Sequence, residues 1–199
     1  MKFSDIETVI ITLVHGDQQS PGDDGSGLSD LPTRLKDALD RLNLTQRRYA
    51  QIIGVTQPAV FAWLNGIRRP TGRRLELVGR TLAAVDMPVI EFGRDRRRRP
   101  LRLPARPWKA VADPLGSFRL PVSLDWSPAG RVHDLSDPAM RASIYRTILS
   151  EGQPKDFAFW IDLDAMLELW DSLLWLPREV RAAWDELLAS GRLGNLRAA

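Results

Sequence analysis

Residues 44–71 read LTQRRYAQIIGVTQPAVFAWLNGIRRPT, and this segment restricts the possible folds more than any other part of the chain. Thr45 is placed to cap a helix starting at Gln46, whose inner face is Tyr49, Ala50 and Ile53. Gly54 then allows the left-handed backbone that a tight turn between two helices requires. Val55 packs inward and Thr56 caps a second helix, in which Val60, Trp63 and Leu64 face the core or its margin. Gln57, Phe61 and Asn65 recur every four residues and so share the opposite side. Ala50 is small where the two helices must cross closely. Asn65 and Gly66 stop the second helix, and Pro70 and Thr71 introduce another, from Gly72 to about Ala84, with Leu75, Val78 and Leu82 expected to close the core.

Small residue, turn glycine, caps and apolar positions together resemble the lambda-repressor and Cro-like (XRE-type) family of helix-turn-helix proteins, over residues 32–85. The resemblance implies a DNA-reading domain in which Gln57 opens the recognition helix and pairs with an adenine edge. Gln46 supports it while touching a phosphate. An amide suits this role because it donates to adenine N6 and accepts or donates in a bidentate pair that other bases do not reproduce. Phe61 reads either as a contact to a thymine methyl or as a packing residue, and Asn65 either as a reader or as a helix cap. Arg47, Arg48, Arg68, Arg69, Arg73 and Arg74 flank the two helices and suit phosphate contacts that set register without reading sequence. The expected DNA-contacting set is Gln46, Arg47, Thr56, Gln57, Pro58, Phe61, Asn65, Arg68, Arg69 and Arg73. The sequence departs from the family pattern at Pro58, in the first turn of the recognition helix, and at Tyr49, where an aliphatic residue is more usual. No convincing fifth helix, which often carries dimer contacts in relatives, follows Ala84.

Charge agrees with this division of the chain. The net charge is only +3, but residues 31–110 hold eighteen Lys and Arg against six acids, whereas residues 1–30 hold one against six and residues 111–199 nine against thirteen. A basic middle between acidic flanks suits a module that meets a polyanion. RNA is the weaker match, since no aromatic RNP pattern or stacking platform accompanies the basic residues. Cysteine is absent, which removes disulfides, thiolate metal sites and thiol nucleophiles, and His15 and His133 are isolated, so no metal or cofactor is expected. The apolar run at residues 9–14 is too short for a signal h-region or a membrane span, and a cytoplasmic protein with no membrane partner is expected.

The remaining chain divides into an acidic, Gly- and Ser-rich segment at 1–30, the helix-turn-helix domain at 31–86, an Arg- and Pro-rich connector at 87–116 and a C-terminal module at 117–199. Arg96, Arg97, Arg98 and Arg99 in the connector could follow a backbone or enter a minor groove. Residues 117–126 alternate like an edge strand or small hairpin, with a turn at 127–130. Three helices are then predicted: one capped by Asp137, opened by Pro138 and ended by Gly152; one at 164–174 burying Met166, Leu167, Trp170 and Leu173; and one at 178–189 burying Val180, Ala183, Trp184, Leu187 and Leu188. Phe157, Phe159, Trp160, Trp170, Trp175 and Trp184 read mostly as core.

The expected fold is mainly α: a lambda-repressor-like domain plus a mostly helical C-terminal module with a short strand or hairpin. Residues 131–188 are similar to a module that recurs in uncharacterised bacterial helix-turn-helix regulators. That resemblance implies oligomerisation, sensing or partner binding, with a homodimer or a toxin as the protein partner and an antitoxin as the alternative to a plain repressor. Asp162, Asp164, Glu168 and Asp171 gather carboxylates, but no nucleophile and base pair, phosphate loop or metal cluster accompanies them, so no enzyme is expected.

Overall fold

The computed structural model describes residues 30–95, 97–125, 131–173 and 175–193. Readings placed on residues 1–29, on Arg96, on the turn at 127–130 and on the side chain of Leu173 lie outside this description. The architecture is mainly α, with two short antiparallel hairpins among the described residues.

Helix α1, Leu31–Arg41, buries Leu35, Ala38 and Leu39, and has proline in its first turn where no intrahelical donor is lost. Helices α2, Gln46–Ile52, and α3, Gln57–Leu64, follow the expected boundaries. The Thr45 hydroxyl accepts from the Arg48 amide at 3.3 Å, and Gly54 and Gly66 both take positive φ, at 68°. Tyr49, an unusual residue at its position, is buried because its hydroxyl is 2.9 Å from that of Thr81 on α4, Arg73–Val85. Thr81 in turn donates to the Leu77 carbonyl. Helix α4 corrects one expectation: Val78 and Leu82 are buried, but Leu75 is 43% exposed. The buried stripe of α4 is Val78, Thr81, Leu82 and Val85, so it begins only in the second turn.

The basic connector holds a hairpin. Strand β1, Val89–Arg94, pairs antiparallel with β2, Pro100–Pro104, through an irregular register between Glu91 and Arg94. At its tip Asp95 accepts from the Arg99 amide at 2.8 Å and from its guanidinium at 2.7 Å, so this arginine is spent on the turn. Strands β3, Ser117–Phe118, and β4, His133–Asp134, form the small hairpin expected near that place.

Helix α5, Pro138–Glu151, is capped by Asp137, whose carboxylate accepts from the Ala139 amide, and stops at Gly152. Helix α6, Pro154–Trp160, has no counterpart in the sequence reading. Phe157, Ala158, Phe159 and Trp160 are all buried, so it lacks the apolar stripe that betrays a helix and is packed all round. The predicted helix at 164–174 is instead α7, Leu163–Glu168, followed by a 3-10 turn, Trp170–Leu173. Helix α8 is Arg178–Ala189 as expected.

Helix α6 packs on α4, β2 and α5, which makes one continuous core of the helix-turn-helix helices and the C-terminal module. The Trp160 ring lies 4.8 Å from those of Phe118 and Phe159, and the Trp184 ring 5.4 Å from Phe157 and 6.4 Å from Trp108. Of the six aromatics assigned mostly to the core, Trp175 is the exception, at 78% exposure.

The chain's two tyrosines are both buried. Burial pushes the Tyr145 phenol up to about 12, against the opposing effect of the Asp162 amide that donates to its oxygen, and it raises Tyr49 further. Because these folded values lie above the ordinary one, the linked stability is complete below pH 10 and is lost as pH rises through the folded values. A spectrophotometric titration is therefore expected to show no phenolate at pH 10, where a free tyrosine is half ionised. A normal titration of either phenol in the folded protein would contradict its burial.

Candidate nucleic-acid interface

Helix α3 has two unlike sides. Val60 and Trp63 are buried, α3 packing on α1 and α2, while Thr56, Gln57, Pro58 and Asn65 are exposed and Phe61 is 50% exposed. Four-residue spacing places Gln57, Phe61 and Asn65 in one outward row. The two readings left open for Phe61 and Asn65 acquire geometry here. Half of the Phe61 surface is open to solvent, and Asn65 donates through Nδ2 to the Phe61 carbonyl at 2.8 Å, closing the helix end.

Thr56 occupies the N-cap position with extended backbone, but its hydroxyl makes no capping bond. The physical cause is next door: an N-cap oxygen accepts from the amide two or three residues on, Pro58 has none, and the Ala59 amide bonds the Thr56 carbonyl instead. The Thr56 hydroxyl is thereby left at the exposed start of α3, beside Gln57.

Gln46 is half-buried at the start of α2, and Arg47, Arg68, Arg69, Arg73 and Arg74 are exposed around the two helices, with Arg48 half-buried. Among the described residues none of these arginines is paired with a carboxylate. The scaffold behind them is different: Arg34 and Arg41 converge on Asp86, at 3.9 and 3.1 Å, and Arg80 pairs with Glu76. Cations that hold the helices together are neutralised, and those bordering the outward row keep their charge for an external anion. Ile67, 71% exposed immediately before Arg68, was missed by the sequence reading, which had no periodic signal in that loop.

Residues 35–89 match the protein family described as Helix-turn-helix. This segment is a lambda-repressor-like helix-turn-helix domain. Domains of this kind bind DNA through a pair of helices, and α2 and α3 are that pair here. No curated protein and no solved structure matches the chain.

Elsewhere, Asp162 accepts from the Ala165 amide at the start of α7, and His133 Nε2 lies 2.9 Å from an Asp125 oxygen. Among the described residues no three or more His, Asp or Glu side chains are gathered as metal ligands. No described helix is long and apolar enough to cross a membrane.

Proposed function

We propose that the protein is a sequence-specific repressor that occupies a promoter by laying α3 in the major groove of duplex DNA. The observation that carries this reading is the outward row of α3, in which Gln57 stands exposed while Val60 and Trp63 on the opposite side are buried. Gln57 reads an adenine edge, supported by Gln46, and Phe61 reaches a thymine methyl. Thr56, Arg47, Arg68, Arg69 and Arg73 hold backbone phosphates, while Pro58 and Asn65 shape the two ends of the reading helix. Residues 31–86 supply the reading surface, and residues 117–199 support it through the connector at 87–116.

Selection of bound duplexes from a random pool, repeated at two salt concentrations, tests this. A single enriched motif with an adenine at one constant position is expected, with affinity falling as salt rises. Salt-dependent retention of DNA without any enriched motif would reject sequence-specific reading.

A further inference from the structure

A cleft of about 490 Å³ lies between α2 and the β3 hairpin of the C-terminal module. Arg47 and Arg48 stand on its α2 side and Arg119 on the other, over apolar contributions from Ile52, Phe118 and Val132. None of its described lining residues is acidic. The position of Arg119 follows from strand geometry: Phe118 is buried with its ring 4.8 Å from that of Trp160 and is paired with His133, so its neighbour along the strand turns outward. Arg119 is exposed, and among the described residues no carboxylate pairs with it.

We infer that this cleft takes a backbone phosphate of the bound duplex, so that Arg119 extends the DNA interface beyond the helix-turn-helix domain. The inference rests on the duplex-binding reading above and adds a residue to it. In motifs of this kind the first helix crosses the sugar-phosphate backbone, which brings a phosphate to the side of α2 where Arg47 and Arg48 stand. Guanidinium groups match phosphate oxygens in planar, bidentate pairs, and no described lining residue offers a competing carboxylate. A polymer's phosphate suits the cleft better than a small metabolite does. Metabolite sites bury most of their ligand, whereas of these lining residues only Phe118 is itself buried.

The test is binding of the full chain to its selected duplex, measured over a range of salt for the wild type, Arg119→Ala and Arg178→Ala. Arg178 is an exposed arginine on α8, and its loss makes the same change in net charge. Arg119→Ala is expected to lower the slope of log affinity against log salt by about 1. Carried from 1 M down to 0.15 M salt, that is a loss of about sixfold to sevenfold, equal on cognate and scrambled duplexes. Arg178→Ala should leave the slope intact, and the thermal midpoint should not move for either variant. Duplex binding by the wild type with an unchanged slope for Arg119→Ala overturns the inference while sparing the functional reading. Equal losses for both variants also overturn it, by showing a net-charge effect. Failure of the wild type to bind any duplex overturns the functional reading and this inference with it. Calorimetric titration with inorganic phosphate separates the remaining source: phosphate uptake lost in Arg119→Ala, with duplex binding untouched, would make the cleft a small-anion site and reject the DNA phosphate.

Discussion

Replacing Trp184 with alanine is expected to destabilise the whole chain by about 3–5 kcal/mol, the range for removing a large aromatic from a packed core. Trp184 has no exposed surface and meets Phe157 and Trp108 edge to face. Phe157 belongs to α6, which packs directly on α4 of the helix-turn-helix domain. A cavity at Trp184 therefore loosens the support of the DNA-reading helices, although it lies more than a hundred residues from them in sequence. Urea unfolding should show a midpoint shift in one transition, and amide exchange in α2 and α3 should accelerate with that in α8. Unchanged exchange in α2 and α3, despite a destabilised α8, would mean that the two halves unfold independently. The indole N–H of Trp184 meets no acceptor among the described residues. Trp184→Phe should accordingly cost less than the alanine variant, since it removes that buried donor while keeping a ring against Phe157.

Gln57→Ala is expected to cost about 1–3 kcal/mol on the cognate duplex, the discrimination carried by one bidentate base pair contact. The side chain is exposed, so folding should be unaffected, and binding to a scrambled duplex should stay as it was. Preference at a single base pair should relax, and a competition assay with that pair replaced by each alternative reads this directly. Equal losses on cognate and scrambled duplexes would assign Gln57 to a general backbone contact and remove it from base reading.

The helix-turn-helix was legible because its determinants are local. Thr45, Ala50, Gly54, Val60 and Gly66 lie within 22 residues, and each acts through a cap, a turn or a 3.6-residue period that neighbouring residues make visible. The charge asymmetry was equally plain, but not its use: one arginine of the basic connector, Arg99, proved to be committed to Asp95 at a hairpin tip. Strand β2 escaped notice because prolines begin and end it, a composition that reads as irregular chain until a partner strand is present. Leu75 shows the converse failure, since it lies on the apolar period of α4 but ahead of the turn where burial begins.

The chain's own order of residues thus determined that two short helices, the first capped by Thr45, would be joined by the Gly54 turn and set an uncharged row, Gln57, Phe61 and Asn65, away from the core. Tertiary packing alone decided that a seven-residue helix buried at six of its positions, α6, would join α4 to the rest of the core, and that Arg119 would stand across a cleft from Arg47. Periodicity is a property of neighbours and can be read along a chain. Which distant surfaces meet depends on how the apolar faces are jointly buried, and no segment carries that information by itself.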